Sequence, residues 1–310
     1  MNLPAKRKRV PVHGVLLLDK PAGMSSNDAL VKAKRLLNAE KAGHTGTLDP
    51  FATGLLPLCF GEATKFAQDL LDADKTYEAT VRLGETTETG DTEGKVLETL
   101  PVNVSREQVD EVLARFRGPI LQVPPMYSAL KRDGKPLYEY ARAGVTLERE
   151  ARAVTIHALE LLEFAPPQLT LRVTCSKGTY IRVLAEDIGR TLACGAHLTA
   201  LRRTGIDTLE LAGAISLEAL ATLPETGREP ALLPVDALLS KFPRVELDDE
   251  LARRFRQGQR IALNRAGIEA PCQEGRVRVY GHDRALLGTA QLTHGALLAP
   301  ERLVANIPSH

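Results

Sequence analysis

Residues 43–66 read GHTGTLDPFATGLLPLCFGEATKF, and this stretch constrains the fold more than any other part of the chain. The residue before a proline is pushed out of the helical region, which applies to Asp49. Gly46 and Gly54 permit backbone turns that are closed to other residues. We therefore predict a rigid turn that presents one carboxylate, with a buried strand behind it in LLPLCF. The alternative is an aspartate whose side chain caps its own turn.

Three familiar kinds of site do not fit this turn. A phosphate-binding loop needs G-x-x-x-x-G-K-[ST], and GHTGTLDP lacks the lysine. A zinc protease needs H-E-x-x-H, and His44 has no such partner. A glycosidase needs a second well-placed acid, and none is evident near Asp49. The four cysteines show no C-x-x-C spacing, which argues against a zinc site and against a disulfide framework.

Length and composition are those of a globular protein. The chain has 310 residues, enough for two domains at roughly 150 residues each. Its content of 44% hydrophobic and 25% charged residues allows a sizeable core. No apolar run approaches the roughly 20 residues of a membrane span, and VLLL near the N-terminus is too short for a signal peptide. We therefore expect a soluble, cytoplasmic protein.

The formal net charge is only +1, but the charges are unevenly distributed. Residues 6–9 read KRKR, and residues 251–310 hold nine arginines against four acidic residues. Residues 206–250 hold ten acidic residues against three basic ones. This distribution favours local contacts with an anionic partner, and solvated surface charge is the alternative.

Local patterns predict helices and strands that do not alternate regularly, which favours an α+β fold over a doubly wound parallel sheet. Residues 211–245 are predicted to connect to a small β-rich module, in which RVRVYGHDRALLGTAQL forms short strands around a Gly-His-Asp turn. The other predicted elements are a strand at residues 14–19, a helix from the Ser25–Asp28 caps to about Leu37, a strand in TYEATVRLG, a helix from the SREQ capping box to about Arg115, a hairpin at Asp133-Gly134, a strand at residues 168–176 and a helix in YIRVLAEDIGRTL.

Five blocks of the chain resemble, in order, the motifs of the TruB family of bacterial tRNA pseudouridine synthases. They are GVLLLDKPAGMSSNDAL, AGHTGTLDPFATGLLPLCFGEATKF, KTYEATVRLGETTETGD, CSKGTYIRVLAEDIG and GAHLTALRRTG, within residues 13–205. The last sixty residues resemble the PUA-like domain of bacterial members more weakly. The resemblance implies a pseudouridine synthase fold, with a mixed, largely antiparallel central sheet flanked by helices. It implies a catalytic domain at residues 10–245 and a β-rich, PUA-like RNA-binding domain at residues 246–310.

The reaction implied by this resemblance is the isomerisation of uridine-55 in the TΨC loop of tRNA, without a guide RNA. The family's catalytic aspartate falls on Asp49, and a carboxylate can act as a covalent nucleophile. The residues leave open whether it attacks the ribose C1′ or the uracil C6. Uracil detaches, rotates and rejoins through C5 without a redox step or hydrolysis, so neither a cofactor nor a metal is expected. The expected partner is the T-arm of tRNA, with no protein partner, and the chain is expected to be a monomer.

The resemblance also assigns Arg182 and Tyr77 to the reaction. A cation beside a desolvated aspartate typically lowers its pKa by about 1–3 units, and the family's arginine for this purpose matches Arg182. From spacing alone, an i,i+4 pair between Arg182 and Glu186 is the alternative. Tyr77 matches the active-site tyrosine, whose ring can stack on uracil and whose hydroxyl can move a proton. Ordinary core packing is the alternative for Tyr77.

The remaining site residues are implied for binding. His44 is expected beside the stack that is disrupted when the base is extruded, and a histidine bonded within its own loop is the alternative. Tyr180 and Leu201 match positions that line the uracil pocket, and Lys20 is grouped with them as a residue that buttresses the pocket. Phosphate contacts, with plain surface charge as the alternative, are expected from Lys65, Lys131, Lys177, Arg202 and Arg203.

Two other classes of protein share some of these features. A non-catalytic RNA-binding module would keep the basic ends but would not need the intact GTLDP block. A relative that depends on a guide RNA would share the catalytic motifs. The likeness to the standalone bacterial pattern favours recognition by the protein alone.

Overall fold

The computed structural model of the protein describes residues 8–305. Residues 6 and 7, half of the basic KRKR cluster, lie outside the described residues. Within residues 8–305, every helix falls short of the length and apolarity that crossing a membrane requires.

A ten-stranded sheet forms the centre of the larger part of the chain. The strands that precede the C-terminal module are β1 (Gly14–Lys20), β2 (Ala42–His44), β3 (Thr53–Phe60), β4 (Lys75–Leu83), β5 (Glu85–Thr87), β6 (Val96–Thr99), β7 (Gly118–Gln122), β8 (Lys131–Arg132), β9 (Lys135–Pro136), β10 (Arg152–Ala165), β11 (Gln168–Cys175), β12 (Ala196–Ile206), β13 (Leu209–Glu210) and β14 (Ile215–Ser216).

The order in this sheet is β14-β1-β3-β12-β4-β11-β10-β7, with β2 paired to β3 and β13 paired to β12. The pairs β1–β14 and β3–β12 are parallel. The other pairs of the sheet are antiparallel. The expected α+β fold with a mixed, largely antiparallel central sheet is therefore confirmed.

Helices and short 3₁₀ turns pack around this sheet. The α-helices are α1 (Ser26–Leu36), α2 (Ala67–Leu71), α3 (Arg106–Arg115), α4 (Leu137–Arg142), α5 (Ile181–Thr191), α6 (Leu217–Thr222), α7 (Glu225–Arg228) and α8 (Asp249–Arg256). The 3₁₀ helices are Gly61–Phe66, Leu211–Gly213, Glu229–Ala231, Val235–Leu239 and Asn264–Ala266.

Strand β1 shows why its sequence is a continuous apolar run. Leu16 and Leu18 are buried in the core cluster on the α1 side of the sheet, whereas Val15 and Leu17 are buried in the cluster on the other side. Successive side chains of a strand point to opposite faces, so a strand covered on both faces is apolar at every position. The same holds for the predicted strand LLPLCF in β3, in which every residue is buried.

Elements with a local signal in the sequence are confirmed. Ser25 caps α1, and the side chains of Ser105 and Gln108 form the reciprocal capping box of α3. Asp133 and Gly134 both have positive φ, as the two central residues of a tight hairpin turn require. The remaining predicted strands correspond to β1, β4 and β11, and the helix after β11 corresponds to α5.

Residues 211–245 are more than a connection. Leu217, Leu220, Val235, Leu238 and Leu239 are buried, and they pack into the two core clusters of the central sheet. The prediction of a connecting segment rests on its prolines and charges, which interrupt any long periodic pattern. The segment folds as short helices that cover the edge of the sheet at β1 and β14.

The C-terminal module is a second sheet of five strands, as predicted. They are β15 (Arg244–Glu246), β16 (Ile261–Ala262), β17 (Gly275–Tyr280), β18 (Leu286–Thr293) and β19 (Leu297–Leu303), in the order β15-β17-β18-β19-β16. Phe255 of α8 is completely buried in the core of this sheet. The predicted boundary between residues 245 and 246 falls inside β15.

Candidate active site

The turn that carries Asp49 connects β2 to β3 and is held from both sides. The backbone carbonyl of Asp49 accepts a hydrogen bond from Ala52 N at 3.1 Å. One residue earlier, the Ser26 hydroxyl accepts from Leu48 N at 2.8 Å and donates to Leu48 O at 3.0 Å. Ser26 is 2% exposed, so a buried clamp from α1 fixes the peptide directly before the carboxylate.

Lys20 supports the same turn from beneath. Its ammonium group is buried and donates to the carbonyl oxygens of Pro21 at 2.8 Å, Met24 at 2.7 Å and Pro50 at 3.3 Å. Burial lowers the pKa of Lys20 to about 8, although Asp49 opposes the change. These contacts fit the expected buttress. Lys20 faces neither cavity described below, so its grouping with substrate-contacting residues does not match its position.

Arg182 brings four partners together at the start of α5. Its Nε lies 3.0 Å from Asp49 Oδ2 and 3.5 Å from Asp91 Oδ2. Its Nη1 donates to Thr89 O at 2.8 Å, and its Nη2 donates to Tyr127 O at 2.7 Å. The side chain is 5% exposed, whereas that of Asp49 is 36% exposed. The arginine is thus a fixed part of the wall, and the carboxylate faces open space.

The geometry at Arg182 and Asp49 does not fit the alternatives, which are a pair between Arg182 and Glu186 and an Asp49 side chain that caps its own turn. Among the described residues, the ion pairs of Arg182 within 4.0 Å are to Asp49 and Asp91, and Glu186 is not among them. The turn at Asp49 is closed by its main-chain carbonyl, while its side chain pairs with Arg182. The arrangement is that of a presented carboxylate, as the turn sequence predicts.

The electrostatic balance at Asp49 differs from the expectation. Burial raises the pKa of the Asp49 carboxyl above its ordinary value, and the Asp91 carboxylate adds to the rise. Arg182 opposes the rise through its charge and its hydrogen bond, and Lys20 opposes it weakly. The net direction is upward, because the desolvation of the buried carboxyl, with the Asp91 charge added to it, outweighs the favourable effect of Arg182 and Lys20.

Asp91 is a member of the site that the sequence reasoning missed. It is 2% exposed, and Oδ1 accepts from Glu93 N at 2.9 Å and from the Thr89 hydroxyl. The signal that could have revealed it is the ETTETGD run, which places an acid directly after a glycine with φ of +72°. A side chain at that glycine would lie 2.9 Å from Glu186, so the turn passes close to α5.

Tyr77 and Arg203 form the floor beside the carboxylate. They are paired in the register of β4 and β12, so their side chains are neighbours in the sheet. Burial raises the pKa of Tyr77, and the Arg203 cation opposes the rise. Arg203 is 1% exposed, and its Nε donates to Leu55 O at 2.7 Å. Arg203 is therefore a buried support of the floor, which corrects the expectation of a phosphate-binding surface cation.

Tyr180 and Leu201 lie in the same cavity as Tyr77. Leu201 is 8% exposed on β12, opposite Ala79 of β4. Tyr180 is the residue directly before α5, and burial raises the pKa of its phenol. Its backbone N–H donates to Gln122 Oε1 at 3.0 Å, and its carbonyl accepts from Gln122 Nε2 at 3.2 Å.

Two adjoining cavities meet at the carboxylate. Both are lined by Asp49, Ser128, Ala129 and Arg182. Tyr77, Tyr180, Leu201 and Arg203 line the first, and His44, Asp91 and Tyr138 line the second. The structure thus brings together Asp49, Tyr77, Arg182, Tyr180 and Leu201 in the first cavity, and His44 lines the second. Within residues 8–305, no cluster of three or more His, Cys, Asp or Glu side chains is arranged to hold a metal ion.

His44 lies on β2 with a buried, unpaired ring nitrogen. Within the described residues its Nδ1 has no hydrogen-bond partner. Burial lowers the pKa of His44, and the Arg203 cation lowers it further, so the ring is neutral at neutral pH. The alternative of a histidine bonded within its own loop does not account for this unpaired nitrogen.

The predicted phosphate-binding cations differ in how available they are. Lys131 is exposed on the β8–β9 hairpin. Lys177 pairs with Asp72 at 2.9 Å and Arg202 with Asp19 at 2.7 Å, and both remain partly exposed. Lys65 donates to Glu62 at 2.7 Å and to Leu303 O at 2.8 Å, so it serves the junction with the C-terminal module.

Family models match the chain in three consecutive parts. Residues 34–181 match the TruB family pseudouridylate synthase N-terminal domain. Residues 182–240 match the tRNA pseudouridylate synthase B C-terminal domain, and residues 243–304 match the C-terminal model of pseudouridine synthase II TruB.

Curated relatives match over nearly the whole chain. The tRNA pseudouridine synthase B of Burkholderia lata is 63% identical over 303 residues, covering 97% of this chain and 94% of that protein. The protein of the same name from Burkholderia mallei is 64% identical over 297 residues, covering 96% and 98%. The one from Cupriavidus metallidurans is 62% identical over 305 residues, covering 97% of each.

Solved structures show the same fold at lower identity. The crystal structure of a Cbf5-Nop10-Gar1 complex contains a chain with a TM-score of 0.72 and 28% identity, covering 94% of this chain and 84% of that one. An H/ACA RNP bound to a substrate RNA containing 2′-deoxyuridine gives a TM-score of 0.73 and 26% identity, covering 95% and 86%.

A chain with this fold and these relatives is a pseudouridylate synthase, an isomerase that rearranges uridine without changing its composition. This chain belongs to the TruB family, because family models and relatives of more than 60% identity cover nearly all of it.

Proposed function

We propose that the protein converts uridine-55 in the TΨC loop of tRNA to pseudouridine, acting alone and without a guide RNA. The observation that carries the proposal is the Asp49 carboxylate, which faces open space where two cavities meet while Arg182 holds it at 3.0 Å. The relatives named tRNA pseudouridine synthase B support tRNA as the substrate. Their identity of 62–64%, against 28% or less for the RNP-associated structures, supports action without a guide RNA.

The proposed reaction balances without an oxidant, a reductant or a metal. The bond between uracil N1 and the ribose C1′ breaks, and a bond between C5 and C1′ forms. The proton on C5 leaves, and N1 gains a proton, so the composition of the nucleotide is unchanged. Asp49 supplies the nucleophile, at C1′ or at C6. The Tyr77 hydroxyl is proposed to move the C5 proton, and the lining of the first cavity by both Tyr77 and Asp49 supports this role.

The walls of the cavities have binding roles in this proposal. The target base is extruded from the stack, and the neutral ring of His44 occupies the space it leaves. Uracil stacks on Tyr77, with Tyr180 and Leu201 closing the first cavity. Lys131, Lys177 and Arg202 are the exposed cations proposed to contact phosphates.

The two parts of the chain divide the work. We propose a catalytic domain that starts at about residue 10 and ends before β15, and a PUA-like RNA-binding domain that starts with β15 rather than at residue 246. The protein is proposed to act as a monomer in the cytoplasm, where its tRNA substrate is found.

The test uses purified protein and a T-arm stem-loop transcript that carries tritium at C5 of the target uridine. We expect tritium release and pseudouridine from the wild-type protein alone. Asp49→Asn should abolish both while it leaves binding of the stem-loop intact. Asp110→Asn is the matched control, because Asp110 lies in a half-exposed ion pair on α3, where the loss of charge has little effect. Turnover by a clean Asp49→Asn preparation would exclude Asp49 as the nucleophile.

A further inference from the structure

Gln122 is a buried polar side chain to which the reaction assigns no role. It is the last residue of β7, at the edge of the central sheet, and it is 2% exposed. A buried amide must find partners for both its donor and its acceptor, because an unpaired polar group in the interior is costly. The partners of Gln122 identify what it holds.

Both ends of the amide bind one residue, Tyr180. Oε1 accepts from Tyr180 N at 3.0 Å, and Nε2 donates to Tyr180 O at 3.2 Å. Tyr180 is the N-cap residue of α5, and its own side chain makes no capping hydrogen bond. The Gln122 amide therefore fixes the orientation of the residue from which the helix starts.

The first turn of α5 carries Arg182, two residues after this clamp. The chain that follows Gln122 returns to the same place, because Tyr127 O accepts from Arg182 Nη2 at 2.7 Å. Residues 122–128 thus bind the backbone before Arg182 and the end of its guanidinium group. On the opposite side of the ion pair, Ser26 holds the peptide before Asp49.

We infer that Gln122 is a positioning residue that sets the approach of Arg182 to Asp49 by clamping the start of α5 to β7. Gln122 lines neither cavity, and its hydrogen bonds go to Tyr180 and not to Asp49, so its effect is exerted through Arg182. The expected effect on the rate of pseudouridine formation rests on the proposed function, whereas the clamp is seen directly in the two hydrogen bonds between Gln122 and Tyr180.

The effect of the clamp on the position of Arg182 can be measured through the pKa of Asp49. Arg182 favours the charged carboxylate, so a looser Arg182 lets the pKa of Asp49 rise further above its ordinary value. The groups that act electrostatically on or with Asp49 are Arg182 from α5, Asp91 and Glu93 from the turn after β5, Lys20 from β1, Tyr77 from β4 and Tyr180 from the start of α5.

The test compares Gln122→Met with the wild-type protein on the T-arm stem-loop. Methionine keeps the size of the side chain and removes both hydrogen bonds. We expect the single-turnover rate at neutral pH to fall about tenfold, as for the loss of a pair of neutral hydrogen bonds. The acid limb of the pH–rate profile, in which the rate falls as the pH drops, should move to higher pH by about half a unit or more. Affinity for the stem-loop should be retained.

Ser105→Ala is the matched control for stability, because it removes the cap of α3 and leaves the cleft untouched. A Gln122→Met protein that is slower and less stable, but whose acid limb coincides with that of the wild type, would make Gln122 merely structural and overturn the inference. If Gln122→Met does not fold, Gln122→Asn keeps the site polar but is too short to bridge both groups, and the same shift is required of it.

Failure of the proposed function gives a different result. If the wild-type protein leaves the stem-loop unmodified, the function fails and the clamp is tested by carbon-13 NMR titration of the Asp49 carboxyl. A higher Asp49 pKa in Gln122→Met than in the wild type then supports the inference, and equal values overturn it.

Discussion

At the scale of single residues, the site is governed by one guanidinium that serves two carboxylates. Asp91 is almost completely buried and Asp49 is partly open, so Arg182 stabilises one buried carboxylate and one that faces the cavities. Burial and the Asp91 charge leave Asp49 with a pKa above its ordinary value, although Arg182 opposes the rise. The Asp49 carboxyl is therefore protonated at a higher pH than an ordinary aspartate would be.

The pH dependence of the reaction follows from that shift. Attack needs the Asp49 carboxylate, so the single-turnover rate should be full above its raised pKa and should fall as the pH drops through it. Asp91→Asn removes a negative charge that raises this pKa, so its acid limb should lie at lower pH than that of the wild type. Rates from about pH 4 to pH 8 on the stem-loop measure both limbs. If the rate of Asp91→Asn falls at the same pH as that of the wild type, or at a higher pH, the charge of Asp91 does not raise the pKa of Asp49.

Arg182→Lys should be far from conservative. A single ammonium group cannot reach Asp49, Asp91, Thr89 O and Tyr127 O at once, whereas the planar guanidinium does. We expect a rate loss of about a hundredfold, comparable with the loss of one preorganised donor in other enzymes. The unpaired carbonyls should also cost about 1–3 kcal/mol of unfolding free energy. Single-turnover kinetics and urea melts measure the two effects, and wild-type kinetics in Arg182→Lys would refute the assignment.

At the scale of elements, the ion pair connects two segments that are each held by a helix or strand outside them. The helix α1 holds the Asp49 turn through Ser26, and β7 holds the start of α5 through Gln122. Neither clamp lies on the element that carries the reactive side chain. The distance between the two charges is therefore a property of how four elements pack together.

A pair of serine substitutions separates clamping from capping. Ser26→Ala leaves Leu48 N–H buried without its partner, at a cost of about 1–3 kcal/mol, and Ser105→Ala removes a helix cap at a cost of about 0.5–2 kcal/mol. Both should lower the melting temperature. Only Ser26→Ala should lower the single-turnover rate, because only it releases the Asp49 turn. Equal rates for the two variants at a temperature where both are folded would contradict this role of Ser26.

Elements and residues with local signals could be predicted, and those defined by distant contacts could not. The capping box at Ser105 and the alternation in β4 depend on neighbours within a few residues. The fourteen-residue β10 escaped prediction because much of it is exposed and its apolar residues follow no single period. Arg203 is buried where β12 pairs with β4, and Asp91 forms an isolated bridge with the distant Leu198, so the surroundings of neither residue were visible in the sequence.

At the scale of the whole molecule, the C-terminal module packs directly on the catalytic part. Lys65 binds Leu303 O at 2.8 Å, Glu62 binds Ala305 N at 2.6 Å, and Arg276 pairs with Asp69. Val304 is buried in the same cluster as Leu70 of α2. The next residue, Leu71, ends α2 and lines the first cavity. Truncation of the module would therefore uncover apolar surface beside the site, so it cannot separate binding from chemistry cleanly.

Charge substitution in the module makes that separation. Arg256 and Arg260 are exposed, and neither takes part in the junction contacts named above. Replacing both with Gln should weaken tRNA binding and reduce the slope of log affinity against log salt by roughly 0.7–0.9 for each phosphate that the protein no longer neutralises. The single-turnover rate at saturating RNA should be unchanged. An unchanged salt slope would show that these arginines do not face the RNA, and a large fall in the rate would place the module in the chemical step.

The cage formed around the Lys20 ammonium by the carbonyl oxygens of Pro21, Met24 and Pro50 allows the opening rate of the Asp49 turn to be measured chemically. An amine that is 0% exposed and bound to three carbonyls cannot meet an acylating reagent until the cage opens. One wall of the cage is Pro50, the neighbour of Asp49, so the acylation rate of Lys20 reports how often this turn leaves its closed state. Mass spectrometry can follow that rate without any RNA turnover. Binding of the stem-loop should lower the acylation rate of Lys20, because a ligand that binds the closed state of the turn makes opening rarer.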